Sequence, residues 1–392
     1  MQRVVSDGGT KELGARVLQN LLRRLDLPEG HLEVRPADVL AADLGATRSV
    51  DRLPLEPGGR MQLNWVTTPP GRGSGGHTTA FRLIRYLESR GHTCRVYLYD
   101  IYGGDARYYG PEIQEMFPDL RATVHDVDDG LADAHATFAT SWPTAYPVLN
   151  QRMRGGRAYL VQDFEPWFYP VGSSSALAEN TYRMGFHAIT AGPWLSRKLA
   201  DEYGMDADPF EFGCDTERYH LKGTGRRNGI VFYARPGAPR RAFEIGMMAL
   251  QLFAEAHPDV DIHLYGHHVG HLPFRAVDHG LITPDELNDI YNVCSAGLSL
   301  SMTNVSLVPH EMLAAGCIPV VNDAEHNRMV LDNPLVRYAL PTPLALAAAL
   351  GEIVAAGDHA AVAERASLGV RSASWEDAGS TVEQALYRWL AP

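Results

Sequence analysis

The chain has 392 residues, of which 45% are hydrophobic and 21% are charged, so it is long enough for two or three globular domains. It has 35 basic and 47 acidic residues, a net charge of −12 that argues against a general nucleic-acid binder but allows a local basic pocket. Its four cysteines are scattered without a CxxC pair, which indicates free thiols. No membrane-length apolar run and no apolar signal segment are present, so we expect a cytoplasmic protein.

Residues 1–59 are predicted to be an N-terminal extension. Leucines between residues 18 and 25 recur at helical spacing and predict a short amphipathic helix. Docking of this helix on the protein body is favoured over a membrane-surface location, because the segment is short and lacks aromatic residues. A loop rich in Pro and Gly, from Leu53 to Gly59, closes the extension.

A strand–loop–helix–strand unit follows the extension and predicts a parallel sheet. Its predicted parts are a strand over Leu63–Thr67, a glycine-rich loop over Pro69–Gly76, a helix over Thr79–Arg90 and a strand over Cys94–Leu98. Gly75 and Gly76 end the loop, where a backbone without side chains lets a phosphate or substrate approach a helix N-terminus. A tight turn without a ligand is the alternative.

The same alternation of predicted strands and helices recurs in the second half of the chain. Predicted strands cover 230–233, 262–265, 297–300 and 318–321, and predicted helices cover 242–256, 284–292 and 309–315. We therefore expect an α/β protein with Rossmann-like domains at 60–205 and 206–376 and a ligand in the cleft between them. Residues 377–392 are predicted to form a C-terminal helix that crosses back to the first domain.

Three arginines lie in the loop that follows the predicted strand 230–233. Arg235, Arg240 and Arg241 are expected at the carboxyl edge of the sheet, where α/β proteins bind ligands. A guanidinium holds phosphate oxygens bidentately and keeps its charge. This cluster predicts an anionic small-molecule ligand, and a solvated basic turn is the alternative.

A single glutamate, Glu311, lies in the first turn of the predicted helix 309–315. A carboxylate there can accept two hydrogen bonds from vicinal hydroxyls such as those of a ribose. Its favourable interaction with the helix dipole is an alternative reason for its presence.

The segment Pro309–Val321 resembles the donor-site signature of nucleotide-sugar glycosyltransferases with the two-domain GT-B fold, retaining family 4. Other segments resemble that family in the same order: the glycine loop and helix at 75–92, the loop Phe212–Tyr219, the phosphate-binding loop Tyr233–Arg241, and the helix and strand at 286–301. The resemblance implies an N-terminal acceptor domain, a C-terminal nucleotide-sugar domain and retention of anomeric configuration. It implies no essential metal and no cofactor, because the nucleotide sugar is a co-substrate.

The resemblance also implies site residues. Arg235, with Arg240 or Arg241, would stabilise the departing diphosphate, and Glu311 would hold the ribose. The full set assigned to the nucleotide sugar is Gly75, Gly76, Arg235, Arg241, Thr303, Asn304 and Glu311. The expected partners are the donor and a carbohydrate or small-molecule acceptor, with no nucleic acid and at most peripheral membrane association.

A narrower resemblance concerns Val161–Pro170, which together with Pro69–Phe81 is similar to bacterial rhamnosyltransferases of the S-layer glycan type. It implies dTDP-L-rhamnose as the donor. Asp163 is expected to act in catalysis through a sugar or acceptor hydroxyl, and Glu165 and Trp167 are expected to contact the sugar or acceptor. An aromatic cluster packed at a strand end is the alternative.

The chain departs from the family pattern at Thr303, where typical members have the first glutamate of an E-x7-E motif. Thr303 and Asn304 would instead bind a deoxysugar. His125 is a candidate for the histidine that the family often has near the reacting centre. The Asp126–Asp129 stretch contains a DxD tripeptide, but the resemblance implies no metal there.

Three other functions remain open from the sequence. An epimerase of the same fold would convert the nucleotide sugar without an acceptor, because fold does not fix function. A catalytically silent carbohydrate-binding protein would agree with the missing glutamate at Thr303. A dehydrogenase is disfavoured because no GxGxxG motif with a downstream ribose-binding acid is present.

Overall fold

A computed structural model describes residues 32–45, 51–71, 73–223, 225–370 and 374–391. The leucine-rich helix expected between residues 18 and 25 lies outside these ranges. Of the extension, the described part contains one short helix, α1 (Pro36–Ala41), which packs on the first domain. No single helix in the described ranges is long and apolar enough to cross a membrane, and one sharply bent helix pair near the C-terminus meets the criteria of length and composition alone.

The first domain is built on a parallel sheet of seven strands in the order β3-β2-β1-β4-β5-β6-β7. The strands are β1 (Gln62–Thr67), β2 (Thr93–Leu98), β3 (Thr123–Asp126), β4 (Ala136–Ala139), β5 (Gly156–Val161), β6 (His187–Ala191) and β7 (Ala207–Phe210). Its helices are α2 (Gly75–Ser89), α3 (Ala106–Met116), α4 (Trp142–Asn150), α5 (Ser173–Asn180) and α6 (Pro193–Tyr203). Strands β4 and β6 are buried along their whole length, as expected for a parallel sheet covered on both faces.

The second domain has a parallel sheet of six strands in the order β10-β9-β8-β11-β12-β13. The strands are β8 (Gly229–Tyr233), β9 (Asp261–Tyr265), β10 (Val277–Asp278), β11 (Cys294–Leu298), β12 (Ile318–Asn322) and β13 (Arg337–Ala339). The helices are α7 (Phe243–Ala256), α8 (Pro284–Val293), α9 (Val308–Ala314), α10 (Glu325–Arg328), α11 (Pro343–Ala355), α12 (His359–Val370) and α13 (Trp375–Leu390). The expectation of two Rossmann-like α/β domains is confirmed.

Two boundaries differ from the sequence-based expectation. Helix α2 begins at Gly75 rather than Thr79, so Gly75 and Gly76 form its first turn instead of preceding it. Strand β7 pairs in parallel with β6, so the first sheet extends past the expected domain boundary at residue 205. This strand completes the edge of the first sheet before the chain passes to the second domain.

The last helix, α13, packs on the first domain rather than on the domain that precedes it in the chain. It contacts α2 and β7. The Arg388 guanidinium lies 3.0 Å from the Asp208 carboxylate of β7, and Glu383 lies 3.0 Å from the His92 ring. The chain therefore passes between the domains twice, once after β7 and once before α13.

All four cysteines are free and buried, as the sequence predicted for thiols without disulfide partners.

The order of the second sheet reverses between β8 and β11, and that of the first between β1 and β4. In parallel α/β sheets a crevice opens at such a point, outside the carboxyl ends of the strands. The loops that carry the candidate residues after β8 and β11 both start at this crevice.

Candidate functional site

The basic loop leaves the carboxyl end of β8 and makes a short helical turn over Pro239–Arg241. Ala242, which follows this turn, has φ 46°, a left-handed conformation that an alanine adopts at an energetic cost. The Met302 N–H donates to the Arg240 carbonyl at 2.9 Å, so the loop is fixed against the loop that follows β11. The arginines are therefore presented from a constrained backbone.

Each arginine of this loop has its own neighbour. The Arg235 guanidinium donates to the Tyr233 hydroxyl at 2.9 Å, and Arg241 donates to the Ser301 hydroxyl at 2.8 Å. Arg240 lies over the Phe168 ring at 4.4 Å. Burial lowers the pKa of Arg241, an effect that the nearby Asp163 charge opposes.

Asp163 of the first domain faces the basic loop of the second. Its carboxylate lies 3.7 Å from Arg240 Nε and accepts a hydrogen bond from the Phe164 N–H at 3.0 Å. Burial raises the pKa of Asp163, while Arg241, the Thr303 hydroxyl and Arg240 favour its charged form. The structure thus brings Asp163, Thr303 and the three arginines together, although they come from distant parts of the sequence.

The cluster has an excess of positive charge. Among the described residues, Asp163 is the carboxylate that forms an ion pair with this loop, and it pairs with Arg240. Arg235 and Arg241 hydrogen-bond to neutral hydroxyl groups instead. The three guanidinium groups thus share one carboxylate, which leaves a net positive charge to neutralise an anion at the carboxyl edge of the second sheet.

The loop after β11 joins the domains. Asn304 is buried, and its side-chain amide donates to the carbonyls of Gln162 at 2.9 Å and Ala191 at 3.1 Å. Gln162 in turn donates to the Gly76 carbonyl at 2.9 Å. The side-chain amide of Asn304, which was expected to bind a sugar, therefore binds the first domain in this structure. The neighbouring Thr303 hydroxyl faces the Asp163 carboxylate.

Gly75 and Gly76 face the same crevice. A Cβ at Gly75 would meet nothing within 4 Å, and one at Gly76 would lie 3.7 Å from the Gln162 amide. The Ser74 side chain does not cap the helix and contacts the His77 ring at 2.8 Å. The packing of the described residues therefore does not require glycine at either position, and the first N–H groups of α2 remain open to a ligand.

Glu311 lies on α9 among groups from both domains. Burial raises the pKa of Glu311 to about 7, while Arg82 and Arg218 lower it and Asp215 raises it. Its carboxylate makes no side-chain hydrogen bond within the described ranges, although these three charged groups act on it. An acceptor with unused lone pairs in such a place is suited to vicinal hydroxyl groups.

Glu165 and Trp167 lie on the short helical turn that follows Asp163 and packs against the Pro239–Arg241 turn. The Glu165 carboxylate accepts from the Trp142 N–H at 2.5 Å and the Tyr159 hydroxyl at 3.3 Å, and burial raises its pKa to about 8. The Trp167 side chain is 48% exposed and packs on Phe164 and Trp194. These contacts place both residues in the packing of the first domain.

His125 is on β3, four strands from β5 in the first sheet, or about 19 Å at the usual strand spacing. It hydrogen-bonds to Thr123 at 2.7 Å and stacks on Tyr97. Asp126 and Asp128 of the same edge are engaged by the Ala106 N–H and by Arg35. No group of three His, Cys, Asp or Glu side chains suited to a metal ion occurs in the ranges that the structure covers.

Sequence reasoning missed the polar residues that support the arginines. Ser301 accepts from Arg241 and donates to the Asn304 carbonyl. The Asn322 carboxamide accepts from the Ser301 N–H at 2.8 Å, and the His326 ring contacts the Ser301 carbonyl at 2.8 Å. A detectable signal was present, because Ser301 and Asn322 are polar residues that directly follow the predicted strands 297–300 and 318–321.

Comparison with known proteins finds a family model that matches most of the second domain. Residues 228–351 match the family described as WsaF, C-terminal domain. The chain is also 35% identical over 256 residues to the O-antigen biosynthesis protein RfbC of Myxococcus xanthus. That match covers 61% of this chain and 20% of the relative, so the chain spans about a fifth of that protein's length.

Solved structures show the fold. The Anabaena protein HepE in complex with UDP-glucose is 14% identical, with a TM-score of 0.64, and the match covers 85% of this chain and all of HepE. TarM of S. aureus, solved with UDP and glycan ligands, is 8% identical with a TM-score of 0.66, covering 83% of this chain and 99% of TarM. This chain therefore has the GT-B glycosyltransferase fold that its sequence predicted.

Proposed function

We propose that this chain is a glycosyltransferase that moves a sugar from a nucleoside diphosphate sugar to an acceptor hydroxyl. The observation that carries the proposal is the excess of positive charge at the carboxyl edge of the second sheet, where, among the described residues, the three arginines of the basic loop share the carboxylate of Asp163. The likeness of the fold to HepE, which was solved with UDP-glucose, supports a nucleotide-sugar ligand. The match to the WsaF C-terminal domain and the relative's name support carbohydrate synthesis.

In the proposed reaction the bond between the sugar C1 and the phosphate oxygen breaks, and its electron pair goes to the diphosphate. Arg235 and Arg241 stabilise the charge that builds up there, an effect worth about 3–4 kcal/mol per preorganised donor. The acceptor oxygen bonds to C1 on the face that the diphosphate leaves, and its proton passes to the departing phosphate oxygen. The configuration is then retained without an enzymatic nucleophile, because positioning and charge stabilisation are sufficient.

The other residues of the cluster would position the two substrates. Glu311 accepts hydrogen bonds from the ribose hydroxyls, and the first turn of α2, with Gly75 and Gly76, approaches the phosphates. Asp163 accepts a hydrogen bond from a sugar or acceptor hydroxyl, and Arg240 holds it in place. Trp167 offers an exposed ring for the acceptor.

For the donor we propose dTDP-L-rhamnose, on the strength of the resemblance of Val161–Pro170 to bacterial rhamnosyltransferases. A deoxysugar has a methyl group at C6 where other sugars have a hydroxyl. A carboxylate would have no hydroxyl to bind there, so Thr303 in place of the family glutamate agrees with this donor. The acceptor is proposed to be a glycan.

The test is to incubate the protein with dTDP-L-rhamnose, UDP-glucose and GDP-mannose, each with and without a panel of oligosaccharides, and to analyse the released nucleotide and the sugar product. Transfer from dTDP-L-rhamnose is the expected result. Transfer only from another donor would reject rhamnose and keep the reaction. An epimerised sugar without acceptor, or binding without turnover on any acceptor, would reject the transferase.

A further inference from the structure

One asparagine of the second domain binds the main chain of the first domain at two points. Asn304 lies in the loop after β11 and is fully buried. Its side-chain nitrogen donates to the Gln162 carbonyl at 2.9 Å and to the Ala191 carbonyl at 3.1 Å. A carboxamide nitrogen has two hydrogens, so these two bonds, here called the interdomain link, use its full capacity as a donor.

The two accepting carbonyls lie at the same edge of the first sheet. Gln162 directly follows β5, Ala191 is the last residue of β6, and the two strands pair in parallel. A single side chain of the second domain therefore joins the carboxyl ends of two neighbouring strands of the first. Hydrogen bonds in such a buried place are strengthened by the low local dielectric.

The first of these carbonyls belongs to the peptide bond that leads into Asp163. Because a peptide unit is planar, a hydrogen bond to the Gln162 oxygen also restricts the nitrogen and Cα of Asp163. The ion pair of Asp163 with Arg240 is 3.7 Å long, which is too long for a hydrogen bond and gives attraction without a fixed direction. Asn304 supplies the directional contact that this ion pair lacks.

The hydrogen bonds continue on both sides of Asn304. In the second domain, the Ser301 hydroxyl donates to the Asn304 carbonyl and accepts from Arg241 at 2.8 Å. In the first domain, the Gln162 side chain donates to the Gly76 carbonyl at 2.9 Å. The interdomain link therefore lies between an arginine of the basic loop and the first turn of α2.

The two domains also pack closely beside the link. A Cβ on Gly192, the residue after Ala191, would lie 2.8 Å from the Val330 side chain of the second domain. The Trp194 ring meets the His326 ring of the second domain edge to face at 5.3 Å. Asn304 thus acts within a close contact of the two domains and does not reach across an open gap.

We propose that Asn304 is a positioning residue: it fixes the peptide unit that enters Asp163 and thereby sets the Asp163 carboxylate relative to the basic loop. The inference rests on the proposed function, in which Asp163 binds a sugar or acceptor hydroxyl. It replaces the expectation that the Asn304 amide binds the sugar itself, because the first domain engages both of its hydrogens.

The test compares turnover with nucleotide affinity in the whole chain. Asn304→Ala removes the interdomain link and leaves the contact of Arg241 with Ser301. Transfer from dTDP-L-rhamnose or UDP-glucose, whichever the wild type uses, should slow about ten- to a hundredfold, because a small misplacement of a reacting group is that costly. Calorimetric affinity for dTDP or UDP should change less than about threefold, because Asp163 is proposed to bind a hydroxyl and not the nucleotide.

A double-mutant cycle with Asp163→Asn shows whether Asn304 acts through Asp163. If it does, adding Asn304→Ala to the Asp163→Asn variant should slow turnover by less than about a further twofold. A side chain that contacts the sugar directly, or one that only stabilises the fold, would keep its full effect in that background.

Asn150→Ala is the matched control. The Asn150 side chain also donates to a distant carbonyl, that of Asp38 at 2.8 Å, but it lies at the end of α4 within the first domain. Turnover of this variant should stay close to that of the wild type. If Asn304→Ala does not fold, Asn304→Ser, which keeps a small polar side chain, takes its place with the same expected pattern.

Hydrogen exchange provides a measurement that needs no substrate. Amides of residues 162–168, which follow the linked end of β5, should exchange faster in Asn304→Ala than in the wild type or Asn150→Ala. If the wild type transfers no sugar from either donor, the proposed function fails and the inference fails with it. With an active wild type, unchanged exchange, nearly normal turnover of a folded Asn304→Ala, or a loss that persists beside Asp163→Asn would overturn the inference alone.

Discussion

At the scale of single residues, the neighbours of each arginine in the basic loop decide what it can do. Arg240 is engaged by the Asp163 carboxylate and the Phe168 ring, whereas Arg235 donates to the Tyr233 hydroxyl and forms no ion pair within the described ranges. We therefore expect Arg235 to be free for a diphosphate and Arg240 to orient Asp163. The sequence alone did not decide between Arg240 and Arg241 as the second arginine for the diphosphate.

Arg235→Ala is expected to lower turnover about a hundredfold while leaving the fold intact, because it removes one preorganised donor from the departing diphosphate. Steady-state kinetics with the donor would measure the loss, and unfolding curves would show that the fold persists. Arg183→Ala is a matched control, since Arg183 also lies over a tyrosine ring, that of Tyr203, but far along the chain in the first domain. A folded Arg235→Ala variant with nearly normal turnover would contradict the placement of the donor site.

Glu165 predicts a pH dependence of stability. Burial raises its pKa to about 8 in the folded chain from 4.5, so the folded state holds a proton that the unfolded state releases between these values. Its contribution to the free energy of unfolding therefore falls as pH rises through this window. Glu165→Gln, which cannot ionise, should lose less stability than the wild type between about pH 6 and pH 8.5 in denaturant titrations.

A surface glutamate provides the control for that comparison. Glu179 pairs with Arg183 on an exposed part of α5, so Glu179→Gln should follow the wild-type pH profile. Parallel profiles for all three proteins would mean that Glu165 is already ionised in the fold.

At the scale of helices and strands, boundaries that are set by hydrogen bonds between neighbouring residues were the easiest to predict from the sequence. Helix α8 begins at Pro284, as expected, because Thr283 and Glu286 form a capping box. Helix α2 begins four residues earlier than predicted, since Gln162 from another loop holds the Gly76 carbonyl and Thr78 bonds back to Ser74. Such tertiary contacts override the usual tendency of glycine to lie outside a helix.

The close packing of α13 on α2 predicts that a larger side chain at their contact lowers the stability of the protein. A Cβ on Gly379 would lie 2.2 Å from the Tyr86 ring of α2. Gly379→Ala is therefore expected to destabilise the protein by about 1–3 kcal/mol, even though alanine favours helices. Chemical unfolding would measure the change.

Gly110→Ala is the matched control on helix α3. Its new Cβ would have its nearest neighbour at 4.0 Å, in ordinary contact. Helix propensity favours alanine by about 0.5–1 kcal/mol, but Pro111 follows Gly110 and disfavours helical backbone at a residue with a Cβ, so the substitution should change stability by less than about 1 kcal/mol. If the two substitutions had the same effect, the close packing of α13 on α2 would be wrong.

At the scale of the whole molecule, the two-domain fold was predictable from the sequence, whereas the contacts between the domains were not. The alternation of apolar strands and amphipathic helices predicted both sheets. Contacts such as those of Asn304 with Gln162 and Ala191 join residues more than 100 positions apart, and no local pattern encodes them. For the same reason the sequence did not show that Glu165 accepts hydrogen bonds from Trp142 and Tyr159, or that His125 lies at the edge strand β3.

The sequence did identify the residues that supply charge to the crevice. Asp163 and the three arginines were chosen as types suited to sugars and phosphates, and the structure brings them together. The polar residues that hold the arginines, Ser301 and Asn322, were not selected, because their role appears only once the carboxyl ends of β11 and β12 lie side by side.

The most direct test of the central claim is the melting temperature of the wild-type protein with dTDP, UDP, GDP, ADP, NAD and dTDP-L-rhamnose. A ligand that binds only the folded state must raise the melting temperature. A selective rise with dTDP and dTDP-L-rhamnose, reduced in Arg235→Ala, is the predicted result. No rise with any of the nucleoside diphosphates would contradict a donor site at Arg235, Arg241 and Glu311.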